Sequence, residues 1–335
     1  MSRSSYQQVF LNQQADQLER TLSSLSLPVK VYGGSVSEDR IRYRLTPVSG
    51  TRPQAVAQAA EQVANALGVA KINIAREAQD LAIDVPVQPP SDLRLLPLLH
   101  AMHDLASLAV VLGMSRVGSP LAFYLTQPST WHFWIHGRSG CGKSEQLRTA
   151  VLSLALTGRR SEIQFLGVDM SGRELAVLEA LPHNLAALAT TPDYAADLIL
   201  WLAEEVDRRL LYGITQPHLA MVIDDLDWIE QVEMETLAGA LRHITREGIS
   251  AGVHLITASQ DPTPASLRNV LTGSAVVEAQ PASSGAEGIG SFELTSGREK
   301  VEFDLAWLSL HDLDAAVRLV QSGWRASGRN PLIGI

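Results

Sequence analysis

The run Trp131–Ser144, WHFWIHGRSGCGKS, constrains this chain more than any other. An apolar strand-like segment (131–136) passes directly into G-x-x-x-x-G-K-S, and a helical pattern (143–157) follows at once. Strand, glycine-rich loop and helix in that order make the setting in which such a loop holds phosphate. Gly137, Gly140 and Gly142 let the backbone curl so that N–H groups converge on phosphate oxygens. Arg138, Ser139, Cys141 and Glu145 complete the candidate cradle, and the helix adds the positive end of its dipole. Lys143 is placed to bridge the β- and γ-phosphates of ATP, and Ser144 to ligate Mg²⁺. A phosphate loop also needs a carboxylate on a nearby strand. HLAMVIDDLDW (218–228) supplies two: Asp224 as the magnesium partner and Asp225 to orient an attacking water.

From about residue 121 onward, apolar strand-like runs at 131–136, 163–169, 218–224, 252–258 and 274–279 alternate with helical patterns at 143–157, 191–211 and 233–248. Thr191, Pro192 and Asp193 mark the start of the second of these helices. Near-continuous apolar strands alternating with helices predict an α/β domain with a mainly parallel sheet covered on both faces. Upstream, a helix over 6–27, alternating strands near Val29–Leu45, a helix over 53–68 and the pair KINIA and LAIDVPV predict a small α+β domain. The Pro-rich stretch PVQPPSD (86–92) is its expected boundary. The domain plan is therefore an N-terminal tail or helix start (1–15), a small α+β domain (16–90), a helical connector (91–120), the main α/β domain (121–322) and a C-terminal tail (323–335). The apolar run Leu93–Met114 carries Arg94, His100, His103, Asp104 and Pro97, so it reads as buried helix and connector rather than a membrane span.

The formal net charge of −9 argues against indiscriminate nucleic-acid binding but leaves room for a local basic face. One cysteine, Cys141, excludes an intramolecular disulfide, and the N-terminus MSRSSYQQVF has no apolar core of a secretory signal, so a cytoplasmic setting is expected. The nine histidines and the cysteine show no zinc spacing, and His183 and His254 sit in apolar stretches that suit core roles. A thiol at a helix N-terminus beside Lys143 is expected to have a lowered pKa and to react readily with a maleimide.

Several ordered motifs beyond the loop resemble the motor of the FtsK/SpoIIIE DNA translocases, in the FtsK–HerA branch of RecA-like P-loop ATPases. VDMSGREL (168–175) is similar to the family's strand ending in an Asp-Pro-Lys-like turn followed by Glu-Leu. LEALPHNLAALATT (178–191) and LILWLAEEVDRRLL (198–211) resemble its proline–histidine–leucine stretch and its helix with a tryptophan and paired arginines. AGVHLITASQDP (251–262) resembles its glycine–histidine strand and the turn after it. SGAEGIGSFEL (284–294) resembles its Gly-Ala-Glu segment, and the lead-in Leu112–Gly137 also matches. The resemblance runs from about 16 to about 322. It implies a RecA-like fold, ATP with Mg²⁺, a homo-hexameric ring and double-stranded DNA as partner, with Gln260 as γ-phosphate sensor.

Four departures bear on activity. Asp225 stands where the family usually has glutamate, setting the carboxylate ~1.5 Å back. Ile249 stands at a usual arginine-finger position, with Arg246 and Arg242 one and two turns earlier. Asp261 replaces a basic residue after Gln260. The tail SGWRASGRNPLIGI is too short for a winged-helix domain, and the family's usual membrane segments are absent, so any anchor is expected from a membrane or recruiting partner protein. SGREKVEF and SLRNV hold the local Arg/Lys available for DNA phosphates. Asp225 and Ile249 keep open a catalytically weak ATP-binding ring subunit or regulator, and the related motor domains of EccC-type secretion ATPases keep open a protein-secretion motor.

Overall fold

The computed structural model describes residues 5–36, 40–48, 50–67, 69, 72–77, 80–86, 93–102, 105–127, 129–231, 234–261, 263, 265–271, 276–282 and 290–326. The tail from 327 and most of the Gly-Ala-Glu segment (284–289) lie outside them. The chain divides into two compact units, Met1–Pro89 with Ser309–His311, and Pro90–Leu308 with Asp312–Ile335.

The smaller unit contains α1 (Ser5–Ser24), β1 (Val29–Val36), β2 (Arg40–Pro47), α2 (Pro53–Gln58), α3 (Ala60–Leu67), β3 (Asn73–Glu77) and β4 (Asp80–Pro86). Its four strands pair antiparallel in the order β1-β2-β4-β3. Period-two alternation sends Ile41, Tyr43 and Leu45 into the core beside Leu18 and Leu22 of α1. Tyr43 donates its hydroxyl to Gln14 of α1 at 2.7 Å. On the other face, Arg42 grips Asp84 across the β2–β4 pair through Nε at 2.6 Å and Nη2 at 2.8 Å. The helix expected over 53–68 breaks at Ala59, whose N–H is shared between the carbonyls of Ala55 and Val56.

The larger unit contains α4 (Leu95–Ala101), β5 (Ala109–Ser115), β6 (Pro120–Tyr124), β7 (His132–Gly137), α5 (Lys143–Thr157), β8 (Ile163–Asp169), α6 (Pro192–Tyr212), β9 (His218–Asp224), α7 (Met234–Ala251), β10 (Val253–Gln260), α8 (Ala265–Leu271), β11 (Val276–Pro281), β12 (Ser291–Ser296) and β13 (Glu299–Leu305), and α9 (Leu310–Ala326) follows. Its sheet holds nine strands among the described residues, in the order β6-β5-β13-β12-β11-β7-β10-β9-β8. The run β11-β7-β10-β9-β8 is parallel, as the βα alternation predicts. The flank β12-β13-β5-β6 is antiparallel and extends the sheet beyond the expected parallel core. The described residues of 91–120, expected as a helical connector, are helix only over Leu95–Ala101. Ala109–Ser115 is a strand inside the large sheet, because Ala109–Leu112 are fully buried between neighbouring layers. Thr191 stands at the start of α6, but its hydroxyl makes no cap bond; Pro192 carries the start, and Gly213 in the left-handed region ends the helix. All residues of β7 and β9 are buried, so their carboxyl ends emerge from a rigid base.

The antiparallel flank depends on a close approach at Gly113. A Cβ there would lie 2.0 Å from the Asp304 carbonyl oxygen and 2.8 Å from the Ala306 nitrogen. Gly113→Ala is expected to cost about 3 kcal/mol, read as a lower urea midpoint. Gly239→Ala on α7, where a Cβ meets nothing within 4 Å, is expected to gain about 0.5–1 kcal/mol.

Candidate functional site

The loop after β7 is built around left-handed backbone. Gly140 and Gly142 have φ of 79° and 108°, conformations that a Cβ penalises. Gly137, at φ 151°, also packs too closely for a side chain, since a Cβ would lie 2.8 Å from the Pro281 ring and 3.1 Å from Cys141 Sγ. Arg138, Ser139 and Gly140 are exposed at the loop's crest, and α5 begins directly behind it. Lys143 is buried and donates from Nζ to the carbonyls of Gly137 at 2.8 Å and Arg138 at 3.1 Å. Its ammonium therefore lies inside the loop, tied to loop carbonyls that a phosphate would replace. Glu145 turns away: its carboxylate accepts from Arg148 and from the Leu308 N–H at 3.0 Å.

The carboxyl ends of β7, β10 and β9 stand side by side, with Gln260 opposite Gly137 and Thr257 opposite Ile223. This order brings Asp224 to the loop. Ser144 Oγ donates to Asp224 Oδ2 at 3.0 Å and Oδ1 at 3.2 Å. Burial pushes the Asp224 carboxyl up to about 7, and the carboxylates of Glu174 and Asp169 push the same way. A hydroxyl and a buried carboxylate, hard oxygen donors in direct contact beside the loop, suit Mg²⁺. Asp169, opposite Asp224 in register, was not singled out by the sequence. It accepts from Ser171 N and Oγ at 2.8 and 2.7 Å and from the N–H groups of Glu174 and Leu175 at 2.7 and 3.1 Å. Those bonds lock the MSGREL turn and hold Glu174 where Arg148 of α5 reaches it.

Asp225 adopts φ 61°, a conformation aspartate tolerates better than most residues. Its Oδ1 accepts from the Asp227 N–H at 3.2 Å and its Oδ2 from Gln260 Nε2 at 3.3 Å. The two side chains read as water-orienter and γ-phosphate sensor thus touch. Ile249 is half-buried on α7, where Arg242 and Arg246 are exposed. Asp261 turns to His136. Of the basic residues considered for DNA, Lys300 pairs with Glu293 at 2.7 Å and Arg268 lies 3.9 Å from Asp261. His183 Nε2 donates to the Gly158 carbonyl, and His254 bridges His218 and the Trp131 carbonyl.

Cys141 departs from the sequence expectation. Burial pushes its thiol up, outweighing the lowering by Lys143. N-ethylmaleimide at pH 7 is therefore expected to react with Cys141 about tenfold or more slowly than with free cysteine; a rate equal to the free thiol would contradict this.

A curled glycine loop on a central parallel strand, with its lysine inward and its serine on a carboxylate two strands away, defines a RecA-like P-loop NTPase fold. Within that class, residues 100–225 match the model of the FtsK/SpoIIIE family. The chain is 25% identical over 290 residues to the DNA translocase FtsK of Lactiplantibacillus plantarum, covering 77% of this chain and 36% of that protein. It is 25% identical over 289 residues to that of Clostridium acetobutylicum, covering 77% and 37%. The chain thus spans about a third of the length of these curated relatives. Among solved structures, the pCW3 conjugation coupling protein TcpA, in its monomer form with ATPγS, aligns with TM-score 0.52 and 17% identity over 91% of this chain and 99% of that one. The cytoplasmic domain of the type VII secretion ATPase EccC of Thermomonospora curvata gives 0.54 and 22% over 70% and 33%. EssC (ATPases 2 and 3) of Geobacillus thermodenitrificans gives 0.55 and 17% over 72% and 53%. These structures share the fold. Among the described residues, no helix is long and apolar enough to cross a membrane.

Proposed function

We propose that this chain is an ATP-driven motor that moves along double-stranded DNA as a homo-hexameric ring in the cytoplasm, with a partner protein recruiting it. The observation that carries the reading is the Ser144–Asp224 hydrogen bond, which joins the phosphate loop to the strand-end carboxylate. The names of the curated relatives support DNA as the track. In this reading the loop N–H groups and Lys143 hold the phosphates of ATP, and Ser144 and Asp224 hold Mg²⁺. When bound, the metal would supply charge neutralisation to the phosphates. Asp225 orients the attacking water and Gln260 reports on the γ-phosphate. Displacement of a third strand from a duplex tests motion directly. It is expected with ATP and not with a non-hydrolysable analogue; no displacement with ATP would overturn the translocase assignment.

A second reading, a ring subunit that binds ATP and turns it over slowly, is favoured by one observation. The Asp225 carboxylate is already engaged by the Asp227 N–H and Gln260, so a water must compete for it.

A further inference from the structure

The smaller unit of this acidic chain exposes a basic sheet face. Residues 1–89 hold nine Lys/Arg against eight Asp/Glu, while the rest of the chain holds 18 against 28. The four-stranded sheet buries Ile41, Tyr43 and Leu45 of β2 against the helices. Period-two alternation therefore turns Arg40, Arg42 and Arg44 to the opposite face. Lys30 of β1 stands opposite Thr46 and shares that face. The side chains of Lys30 and Arg40 are 76% and 46% exposed, and Arg44 is exposed as well. Tyr32, also exposed, reaches from β1 across β2 and donates its hydroxyl to Asp80 Oδ2 of β4 at 2.9 Å.

The carboxylates of this face lie toward its other half. Asp84 of β4 is gripped by Arg42 and lies 3.6 Å from Arg40. Asp80 accepts from Tyr32 and from Thr46 Oγ1 at 2.8 Å, and Glu77 of β3 stands opposite it in register. At the other edge, Glu19 of α1 is 3.9 Å from Lys30. The β1–β2 half is left positive. Alternate residues of a strand are about 6.8 Å apart, so the three arginines span about 14 Å. Duplex DNA presents a phosphate of each strand every ~3.4 Å of its axis, so the row spans several phosphates. Each guanidinium is a planar fork that matches a phosphate. Among the described strand residues of this face, Tyr32 is the one large apolar side chain. Such a face lacks the apolar centre that holds two protein copies together, and it has the polar, cationic character of a nucleic-acid interface.

We propose that the β1–β2 half of this face, through Lys30, Arg40 and Arg44, is a contact surface for the phosphate backbone of duplex DNA, held without regard to base sequence. The choice of duplex DNA as the polyanion rests on the motor reading above; the charge and spacing of the face do not.

The test uses the full chain and a fluorescent duplex of about 30 base pairs, with anisotropy read from about 50 to 200 mM KCl. Each of Lys30→Gln, Arg40→Gln and Arg44→Gln is expected to lower the slope of log affinity against log salt by about 0.9, and the triple variant by about 2.7. The triple variant is also expected to bind about 100-fold more weakly in the middle of that salt range. Asp80→Asn removes a carboxylate from the same face and is expected to tighten binding about threefold, which a damaged fold cannot do. A triple variant that keeps the wild-type slope overturns the proposal. If the triple variant does not fold, Asp80→Asn decides, and binding no tighter than the wild type overturns the proposal. Sedimentation velocity follows self-association: association lost in the triple variant with duplex binding intact gives the face to a second copy and also overturns it. ATP turnover with and without the duplex separates this proposal from the motor. Binding that depends on the face while turnover ignores the duplex fails the motor alone. Turnover that rises equally with duplex in the wild type and the triple variant, with equal slopes, fails this proposal alone.

Discussion

Lys143→Ala is expected to lower ATP turnover about 10³-fold or more, the upper range for removing one preorganised donor from developing charge. The side chain is buried with its ammonium inside the loop, held by the carbonyls of Gly137 and Arg138. Alanine removes the only buried cation at the loop among the described residues and takes one donor from each carbonyl, leaving the longer bonds from the Asp261 and Cys141 N–H groups at 3.3 and 3.4 Å. Loss of the two lysine bonds also costs about 1–3 kcal/mol of stability, so the variant should melt earlier while staying folded. Turnover in a coupled assay checks the first effect and a thermal melt the second. A variant within tenfold of wild-type turnover would mean that hydrolysis occurs elsewhere.

The second large effect is a loss of stability in acid. Burial lowers the pKa of His132 to about 4 and lowers those of His183, His218 and His254. These rings stay neutral in the folded chain, while in the unfolded chain they take up protons below about pH 6.5. Stability from His132 is fully present above pH 6.5 and is lost as the pH falls toward 4, about 3 kcal/mol for that residue alone. Asp224 works in the opposite sense. Its carboxyl is raised to about 7 in the fold, so the folded chain gains a proton that the unfolded chain lacks, and that contribution grows as the pH falls below 7. It offsets roughly one histidine of the four. The net expectation is a urea midpoint that drops steadily from pH 7 to 5, and drops more steeply in Asp224→Asn. All six tryptophans (131, 134, 201, 228, 307 and 324) lie in the larger unit, so their fluorescence follows that unit alone. A midpoint that is flat or rises toward pH 5 would contradict the account.

The parallel core is written plainly in the chain. α5, β8 and β9 fall on the residues predicted for them, and β7 is shifted by one, because long apolar runs bounded by glycine, proline and aspartate leave little choice. The antiparallel flank was missed for a physical reason. Ala109–Leu112 is a continuous apolar run, which periodicity cannot assign to helix or strand. Its strand character comes from pairing on both sides, with β6 close in sequence and with β13 nearly two hundred positions away, as in Gly113 opposite Leu305. The hairpin β12–β13 does carry a signal, alternation broken by Gly297 at φ 59°, which the charged residues obscured.

The site was legible residue by residue but not as an assembly. Lys143, Ser144 and Asp224 follow from motif and spacing. The meeting of Asp225 with Gln260, and of His136 with Asp261 and Glu278, depends on the strand order β11-β7-β10-β9, which no local pattern encodes. Cys141 failed for the same kind of reason. The sequence shows its neighbour Lys143 and the helix start, but not the burial that outweighs both.

The measurement that bears most directly on the central claim is ATP turnover by the purified chain with and without linear duplex DNA, with Lys143→Ala as the blank. Turnover that rises several-fold on adding duplex, and is absent in the blank, is the predicted result. ATP that binds but turns over no faster with duplex than without it would contradict a DNA motor.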